Sequence, residues 1–127
     1  MNSMMTALGL RVTPLERELG VATLTAALAL LEEKGWTRGA DARNRYGKAT
    51  HPLSPRATCY CAQGALLCAS PPGSGDKALL VVERLVAHRY DGAPLTYFND
   101  ASGQKKENVL AIFHEALELF KKEGSSS

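Results

Sequence analysis

Residues 54–70 read SPRATCYCAQGALLCAS, and this stretch decides the fold that the sequence predicts. It opens with a serine followed by a proline, which is typical of a helix start because the hydroxyl caps and proline suits the first helical position. Its small side chains recur at helical spacing on one face: Ala57, Cys61, Gly64, Ala65 and Cys68. We therefore predict a central helix over residues 54–70, with Gly64 placed where a larger side chain would clash.

Amphipathic helices are predicted on both sides of this central helix. Thr13-Pro14 begins the first one, with Glu16 completing a capping box, and Gly20 is expected to interrupt or kink the segment. The main part of that helix then covers residues 21–34. Two further helices are predicted over residues 77–89 and 105–122, where apolar residues recur with a period of 3.6. The predicted fold is mainly α, a compact bundle of about four helices around the central small-residue helix.

Two segments are expected to be extended. Asn44-Arg45-Tyr46-Gly47 is typical of a turn at the tip of a short hairpin, with Gly47 at positive φ. Residues 94–98 favour a strand, so one short extended pair could form between residues 43–48 and 95–98. We expect a single helical domain over residues 13–122, with flexible tails at 1–12 and 123–127.

The positive charge of the chain is concentrated in one segment. The net charge is only +2, but residues 38–56 contain five basic residues and a single acid. This composition resembles a phosphate-binding surface, although a solvated loop or an acidic protein partner explains the same residues. We find no glycine-rich phosphate loop and no dinucleotide fingerprint, and we expect no nucleic-acid partner.

The bulk composition points to a globular protein in a reducing compartment. The hydrophobic share of 45% is ordinary for a globular domain. No window approaches the run of about 18 apolar residues that a membrane span requires, and we recognise no export signal. Three cysteines are an odd number, which favours reduced thiols. We therefore expect a cytoplasmic protein that does not contact a membrane.

The three cysteines do not have the spacing of a metal site. On a helix, Cys59 and Cys61 would point about 200° apart, and Cys61 and Cys68 would lie about 10 Å apart along the axis. We expect no metal and no cofactor. Cys59, in the first turns of the predicted helix and near Arg56, is the candidate for a reactive thiol, whereas Cys61 is interpreted as a packing residue.

The remaining candidate residues are polar or aromatic and lie in loops. Asn99-Asp100 could bind a ligand or could organise the turn before the last helix. Trp36, the only tryptophan, is interpreted as a core anchor that could also line a pocket with Tyr97. We predict a ligand site that contains these groups and the basic loop: Trp36, Arg43, Arg45, Lys48, Tyr97, Asn99 and Asp100.

Three short motifs, in order along the chain, resemble a known family. They are Gly35-Trp36, the run Cys61-Ala62-Gln63-Gly64-Ala65-Leu66, and Phe98-Asn99-Asp100. The chain is similar over residues 21–119 to a family of small uncharacterised bacterial and phage proteins, defined as a domain of unknown function. The resemblance implies no activity.

The sequence contains no catalytic constellation, so we expect a non-enzymatic protein. The leading hypothesis is an accessory module that binds a protein partner or its own copy. The alternative is a binder of a small phosphorylated or nucleotide-type ligand, through the basic loop and the Asn99-Asp100 loop. An enzyme that uses Cys59 is the third hypothesis.

Overall fold

The computed structural model describes residues 4–71, 73 and 76–123, which form six helices and three short strands. The helices are α1 (Met4–Ala7), α2 (Pro14–Glu33), α3 (Ala62–Ala69), α4 (Ala78–Arg89), α5 (Leu95–Asp100) and α6 (Lys106–Glu123). The strands are β1 (Ala42–Arg43), β2 (Ala49–Thr50) and β3 (Cys59–Tyr60). The predicted mainly helical class is confirmed, but the small sheet takes the place of part of the predicted bundle.

Helix α2 is the long axis of the core, and it packs most extensively against α6 and then against α3. The predicted capping box is present: the Thr13 N–H donates to the Glu16 carboxylate at 2.9 Å, and the Glu16 N–H donates to the Thr13 hydroxyl at 3.1 Å. The expected interruption at Gly20 is wrong. The helix continues through this residue, and the Phe120 ring lies 2.5 Å from a Cβ placed at Gly20, so a side chain there would clash with the packing of α6.

The central helix is shorter than predicted. It begins at Ala62 with Cys61 as its N-cap, and residues 54–60 form a turn and a strand instead. The Ser54 hydroxyl accepts from the Arg56 N–H at 3.1 Å, so the serine and proline build a local turn, not a helix cap. The following residues, Cys59-Tyr60, pair with β1 and thereby leave the helical conformation.

The three strands form one antiparallel sheet in the order β2-β1-β3. Ala42 lies opposite Thr50 and Tyr60, and the chain reverses between β1 and β2 at the predicted turn, where Gly47 has a φ of 77°. The prediction of a hairpin tip at residues 44–47 is therefore confirmed. The predicted pairing of this region with residues 95–98 is wrong, because β3 occupies the other edge of β1.

Residues 95–100 are helical, and the predicted strand over 94–98 is wrong. Leu95, Phe98 and Asn99 are all buried, and their spacing of three and four residues places them on one helical face. Burial of that face against α3 and α4 outweighs the strand preference of the intervening aromatic residues.

The first described residues pack against the core. We expected residues 1–12 to be a tail, but the side chains of Met5, Leu8 and Leu10 are buried, and the Arg84 guanidinium donates to the Leu8 carbonyl at 2.9 Å. The last helix extends through Glu123 and buries the predicted apolar face, namely Val109, Ile112, Phe113, Ala116, Leu119 and Phe120. Residues 124–127 of the predicted C-terminal tail lie outside the described residues.

None of the helices in the described part of the chain has the length and apolar character needed to cross a membrane.

Candidate functional site

Asn99 connects three separate parts of the chain. Its side-chain oxygen accepts hydrogen bonds from the Trp36 indole N–H at 2.8 Å and from the Ala62 backbone N–H at 2.9 Å. Its amide nitrogen donates to the Thr37 carbonyl at 3.1 Å and to the Asp100 carboxylate at 2.9 Å. Asn99 is fully buried, and both lone pairs and both protons of its amide are used. We call this residue and its partners the Asn99 hub.

The segment after α2 is fixed to the sheet on the other side of the hub. The Tyr60 N–H donates to the Gly35 carbonyl at 3.0 Å, and the Thr37 N–H donates to the Tyr60 carbonyl at 3.0 Å. Gly35 has a φ of 126°, which only glycine adopts readily, and it ends α2 as predicted. Trp36 lies between the two residues that bond to Tyr60 and is half-buried. Its indole N–H donates to Asn99, and this hydrogen bond holds the indole in place.

Cys61 caps helix α3 through its sulfur, which accepts from the Gly64 N–H at 3.2 Å. The thiol also lies 3.7 Å from the Asp41 carboxylate. Burial raises the pKa of the Cys61 thiol to about 11, and the nearby Asp41 charge acts in the same direction, whereas the Gly64 N–H opposes the shift. Cys61 is therefore a neutral thiol at physiological pH, as the packing interpretation requires.

Gly64 allows the backbone before β1 to reach helix α3. A Cβ at this position would lie 1.8 Å from the Asp41 carbonyl oxygen, and that same oxygen accepts from the Cys61 N–H at 3.0 Å. The prediction that Gly64 sits where a larger side chain would clash is confirmed. The close neighbour is the backbone carbonyl of Asp41, in the segment that leads into β1.

Asp100 also serves the loop connections. Its carboxylate accepts from the Gly39 N–H at 2.9 Å, and the Arg38 guanidinium donates to the Ala101 carbonyl at 2.9 Å. No buried side-chain nitrogen or oxygen in the described part of the chain lacks a hydrogen-bond partner. The hub is a saturated polar network, and it offers no buried donor or acceptor to a ligand.

Arg43 belongs to this saturated network although we predicted it as a ligand-binding residue. Its guanidinium donates three hydrogen bonds to the protein, to the Thr37 hydroxyl at 2.9 Å, to the Gly47 carbonyl at 3.0 Å and to the Arg38 carbonyl at 2.8 Å. These bonds tie the hairpin tip to the segment after α2. Arg43 therefore positions the loop that carries the other basic residues.

An open groove of about 710 Å³ lies between the hairpin tip and residues 55–58. Its walls combine three cations with an aromatic ring and neutral groups, and none of them is acidic: Asn44, Arg45, Tyr46, Lys48, Pro55, Arg56 and Thr58. We call this the basic groove. Its volume is in the range of small-molecule sites.

Two of the cations in the basic groove have no partner among the residues that the structure describes. Among the residues that the structure describes, neither the Lys48 ammonium nor the Arg56 guanidinium has a hydrogen bond or an ion pair. Arg45 differs, because it donates to the Tyr46 hydroxyl at 2.6 Å. The groove thus presents positive charge that no carboxylate of the described chain neutralises.

Hydrogen bonds of the Asn44 and Arg43 side chains fix the backbone of the hairpin tip that carries two of these cations. The Asn44 side-chain oxygen accepts from the Tyr46 N–H at 2.9 Å and from the Lys48 N–H at 3.1 Å, which fixes the backbone on both sides of Gly47. The Arg43 guanidinium also donates a hydrogen bond to the Gly47 carbonyl. The side chains that line the groove therefore project from a turn whose conformation is already set.

Cys59 lies on β3, not in the first turns of a helix, so the local helix field that we expected to activate it is absent there. Cys68 and Cys59 both lie close to Tyr60, whose pKa is raised chiefly by burial and then by the Cys68 thiol. All three cysteines are free. No group of three or more potential metal-ligating side chains is assembled among the described residues.

The predicted site residues fall into two sets. Trp36, Asn99 and Asp100 meet at the hub, and Arg45 and Lys48 meet in the basic groove, while Tyr97 is exposed on α5 and lines neither. Arg56 and Pro55 complete the groove but were expected on a helix. The two prolines at 52 and 55 are the sequence signal that could have placed them in a turn.

Comparison with known proteins gives a family and no activity. A family model described as "Family of unknown function (DUF6197)" matches residues 17–119. The predicted resemblance to a family of unknown function is therefore confirmed. A search of the curated proteins and a search of the solved structures each found no match.

Proposed function

We propose that this chain, which belongs to the family of unknown function DUF6197, is a non-enzymatic binding module for a phosphate-bearing ligand. The observation that carries the proposal is the basic groove, where the Lys48 and Arg56 cations face solvent and have no partner among the described residues. Binding of a phosphate supplies the charge that these cations lack, through charge-assisted hydrogen bonds.

Pre-organisation of the hairpin tip supports the same proposal. Because Asn44 and Arg43 fix the turn, a ligand does not have to order the backbone that carries Arg45 and Lys48. Avoiding that ordering cost favours affinity. The Asn99-Asp100 loop, which we expected to take part, contributes only indirectly because its polar groups are used within the fold.

The proposal is tested by titrating the protein with inorganic tripolyphosphate at low salt and following the binding by calorimetry. Replacing the groove cations by glutamine, in the triple variant Arg45→Gln, Lys48→Gln and Arg56→Gln, is expected to weaken binding by about tenfold or more. The affinity of the native chain is also expected to fall as salt is raised.

The matched control is a second triple variant with the same loss of charge at exposed positions outside the groove, namely Arg11→Gln, Lys34→Gln and Lys105→Gln. We expect this control to bind tripolyphosphate within about twofold of the native chain, since screened surface charges contribute little. Equal weakening in both triple variants would contradict a specific site, and no binding by the native chain would remove the proposal.

A protein partner or self-association is the second candidate function. It is supported by the aromatic side chains at the α4–α5 corner, where Tyr90 and Tyr97 are 46% and 71% exposed. Tyr90 packs on buried Phe98 with ring centroids 4.7 Å apart, which holds it at the surface. Exposed tyrosine is enriched in protein interfaces.

Light scattering after size exclusion, over a hundredfold range of concentration, tests the self-association. Tyr97→Ser is expected to lower the apparent mass at high concentration, whereas Tyr46→Ser, at a tyrosine of equal exposure in the basic groove, is not. A monomer at every concentration would contradict self-association.

Three free cysteines fit a reducing compartment, and we include a cytoplasmic location in the proposal.

A further inference from the structure

The basic groove contains an aromatic ring that phosphate binding alone does not require. Tyr46 lies at the hairpin tip with 70% of its surface exposed, and it lines the groove together with Arg45 and Lys48. Exposed tyrosine in a basic setting is the composition of surfaces that bind single-stranded nucleic acids and nucleotides, where a base stacks on the ring and cations hold the phosphates.

The ring is held in a defined orientation. Its backbone N–H donates to the Asn44 side chain at 2.9 Å, and its hydroxyl accepts from the Arg45 guanidinium at 2.6 Å. The guanidinium carbon lies over the ring, 4.8 Å from its centroid, which is the geometry of a cation–π contact. The backbone N–H and the hydroxyl of Tyr46 are both held by hydrogen bonds. The binding of a planar ligand on the ring therefore costs little further conformational entropy of this side chain.

We propose that the ligand of the basic groove is a nucleotide unit, with its base stacked on Tyr46 and its phosphate on Lys48 and Arg56. This inference rests on the proposed function, and it narrows the ligand from any phosphate to one that carries a nucleobase. The groove of about 710 Å³ has room for more than a phosphate group. Both a free nucleotide and a unit within a single strand supply this chemistry.

The groove discriminates poorly between bases. Besides the Tyr46 hydroxyl, which accepts from Arg45, the neutral polar groups in its wall are those of Asn44 and Thr58. The oxygen of Asn44 is already occupied by two backbone N–H groups, and the Thr58 hydroxyl donates to the Arg43 carbonyl at 3.2 Å. Few groups remain to read the edge of a base, so we expect ATP, GTP and CTP to bind with affinities within about threefold of one another.

The experiment compares ATP with inorganic tripolyphosphate, which carries the same run of phosphates without a base. We expect the native chain to bind ATP more tightly, and Tyr46→Ala to lower the ratio of the two affinities about tenfold. The matched control is Tyr46→Phe, which keeps the ring and removes the hydroxyl. Its ratio is expected to stay within about twofold of the native value.

The outcomes separate this inference from the proposed function. Equal binding of ATP and tripolyphosphate, with a ratio that Tyr46→Ala does not change, overturns the nucleotide inference and leaves phosphate binding in place. Failure of the native chain to bind either compound overturns both. A second arm compares ATP with hexameric single-stranded RNA and DNA: tighter binding of an oligomer that depends on Tyr46 identifies a strand as the source of the nucleotide, and tighter binding of ATP identifies the free nucleotide.

Discussion

The Asn99 hub and the basic groove are both rich in polar side chains, but they use them in opposite ways. At the hub, every donor and acceptor of a fully buried amide is paired within the protein. In the groove, the charged ends of Lys48 and Arg56 have no partner in the described chain and face solvent. Arg43 connects the two regions, because its guanidinium donates to the hydroxyl of Thr37, whose carbonyl belongs to the hub, and to the Gly47 carbonyl at the hairpin tip.

Residue type alone does not distinguish a scaffold from a binding surface. Asn99, Asp100 and Trp36 were predicted as ligand groups because they are polar or aromatic and were expected in loops. The structure uses them to join α2, α3 and α5, since a buried polar group without a partner costs free energy. Unused bonding capacity is the property that marks the groove.

The largest expected effect comes from Asn99→Ala, which would break the hub. The substitution removes the partner of the buried Ala62 N–H and of the partly buried Trp36 N–H and Thr37 carbonyl. We expect the free energy of unfolding to fall by about 3–5 kcal/mol, measured by urea denaturation. The control is Asn108→Ala, at an exposed asparagine whose amide donates, within the described part of the chain, only to Gln104, with an expected change below about 0.5 kcal/mol. Similar losses in both variants would show that the hub does not stabilise the fold.

An intermediate effect on stability is expected at Arg43, which is compared with Arg56. Both side chains are cations, but they differ in their hydrogen bonds to the protein. Arg43→Ala removes three hydrogen bonds to the protein, and we expect a loss of about 2 kcal/mol in unfolding free energy. Arg56→Ala removes no side-chain hydrogen bond to any described residue, so its unfolding free energy is expected to stay within about 0.5 kcal/mol of the native value. If thermal denaturation finds the two variants equally stable, the assignment of Arg43 to the scaffold is wrong.

The smallest effect at neutral pH is expected at Cys61, where the consequence appears only in alkaline solution. Burial raises the pKa of this thiol from its ordinary value of 9.0 to about 11, so the unfolded chain loses the proton first. The contribution of Cys61 to stability is complete below pH 9 and is lost as the pH rises to about 11, at up to about 1.4 kcal/mol per pH unit. Cys61→Ser keeps a capping oxygen that does not titrate, and the unfolding free energy of this variant should decline less steeply over that range. Parallel curves would contradict the raised pKa.

The amphipathic helices were predictable because their signals are local. The capping box at Thr13 and the apolar faces of α4 and α6 depend on residues three or four positions apart, which any helix brings together. Gly64 was also predictable as a point of close approach. The neighbour of Gly64 could not be predicted, because Asp41 comes close to it only when the sheet forms.

The predictions of secondary structure were wrong where tertiary contacts outweighed the local conformational preference of the residues. Ser54-Pro55 has the composition of a helix start and also of a turn, and the pairing of β3 with β1 decided between them. The segment 95–100 has a strand-like composition, but burial of Leu95, Phe98 and Asn99 on one face made it helical. The basic groove was predicted in part, since Arg45 and Lys48 are local to the turn while Arg56 arrives from a different segment.

The Asn99 hub also has a consequence for the order of folding. Its hydrogen bonds join residues 63 and 37 positions apart, so long loops must close before any of them forms. Local helices form in far less time than such closures, which places the hub late on the folding pathway. We therefore expect Asn99→Ala to accelerate unfolding far more than it slows refolding, a low φ-value that stopped-flow chevron analysis measures. A folding limb slowed in proportion to the lost stability would instead place Asn99 in the folding nucleus.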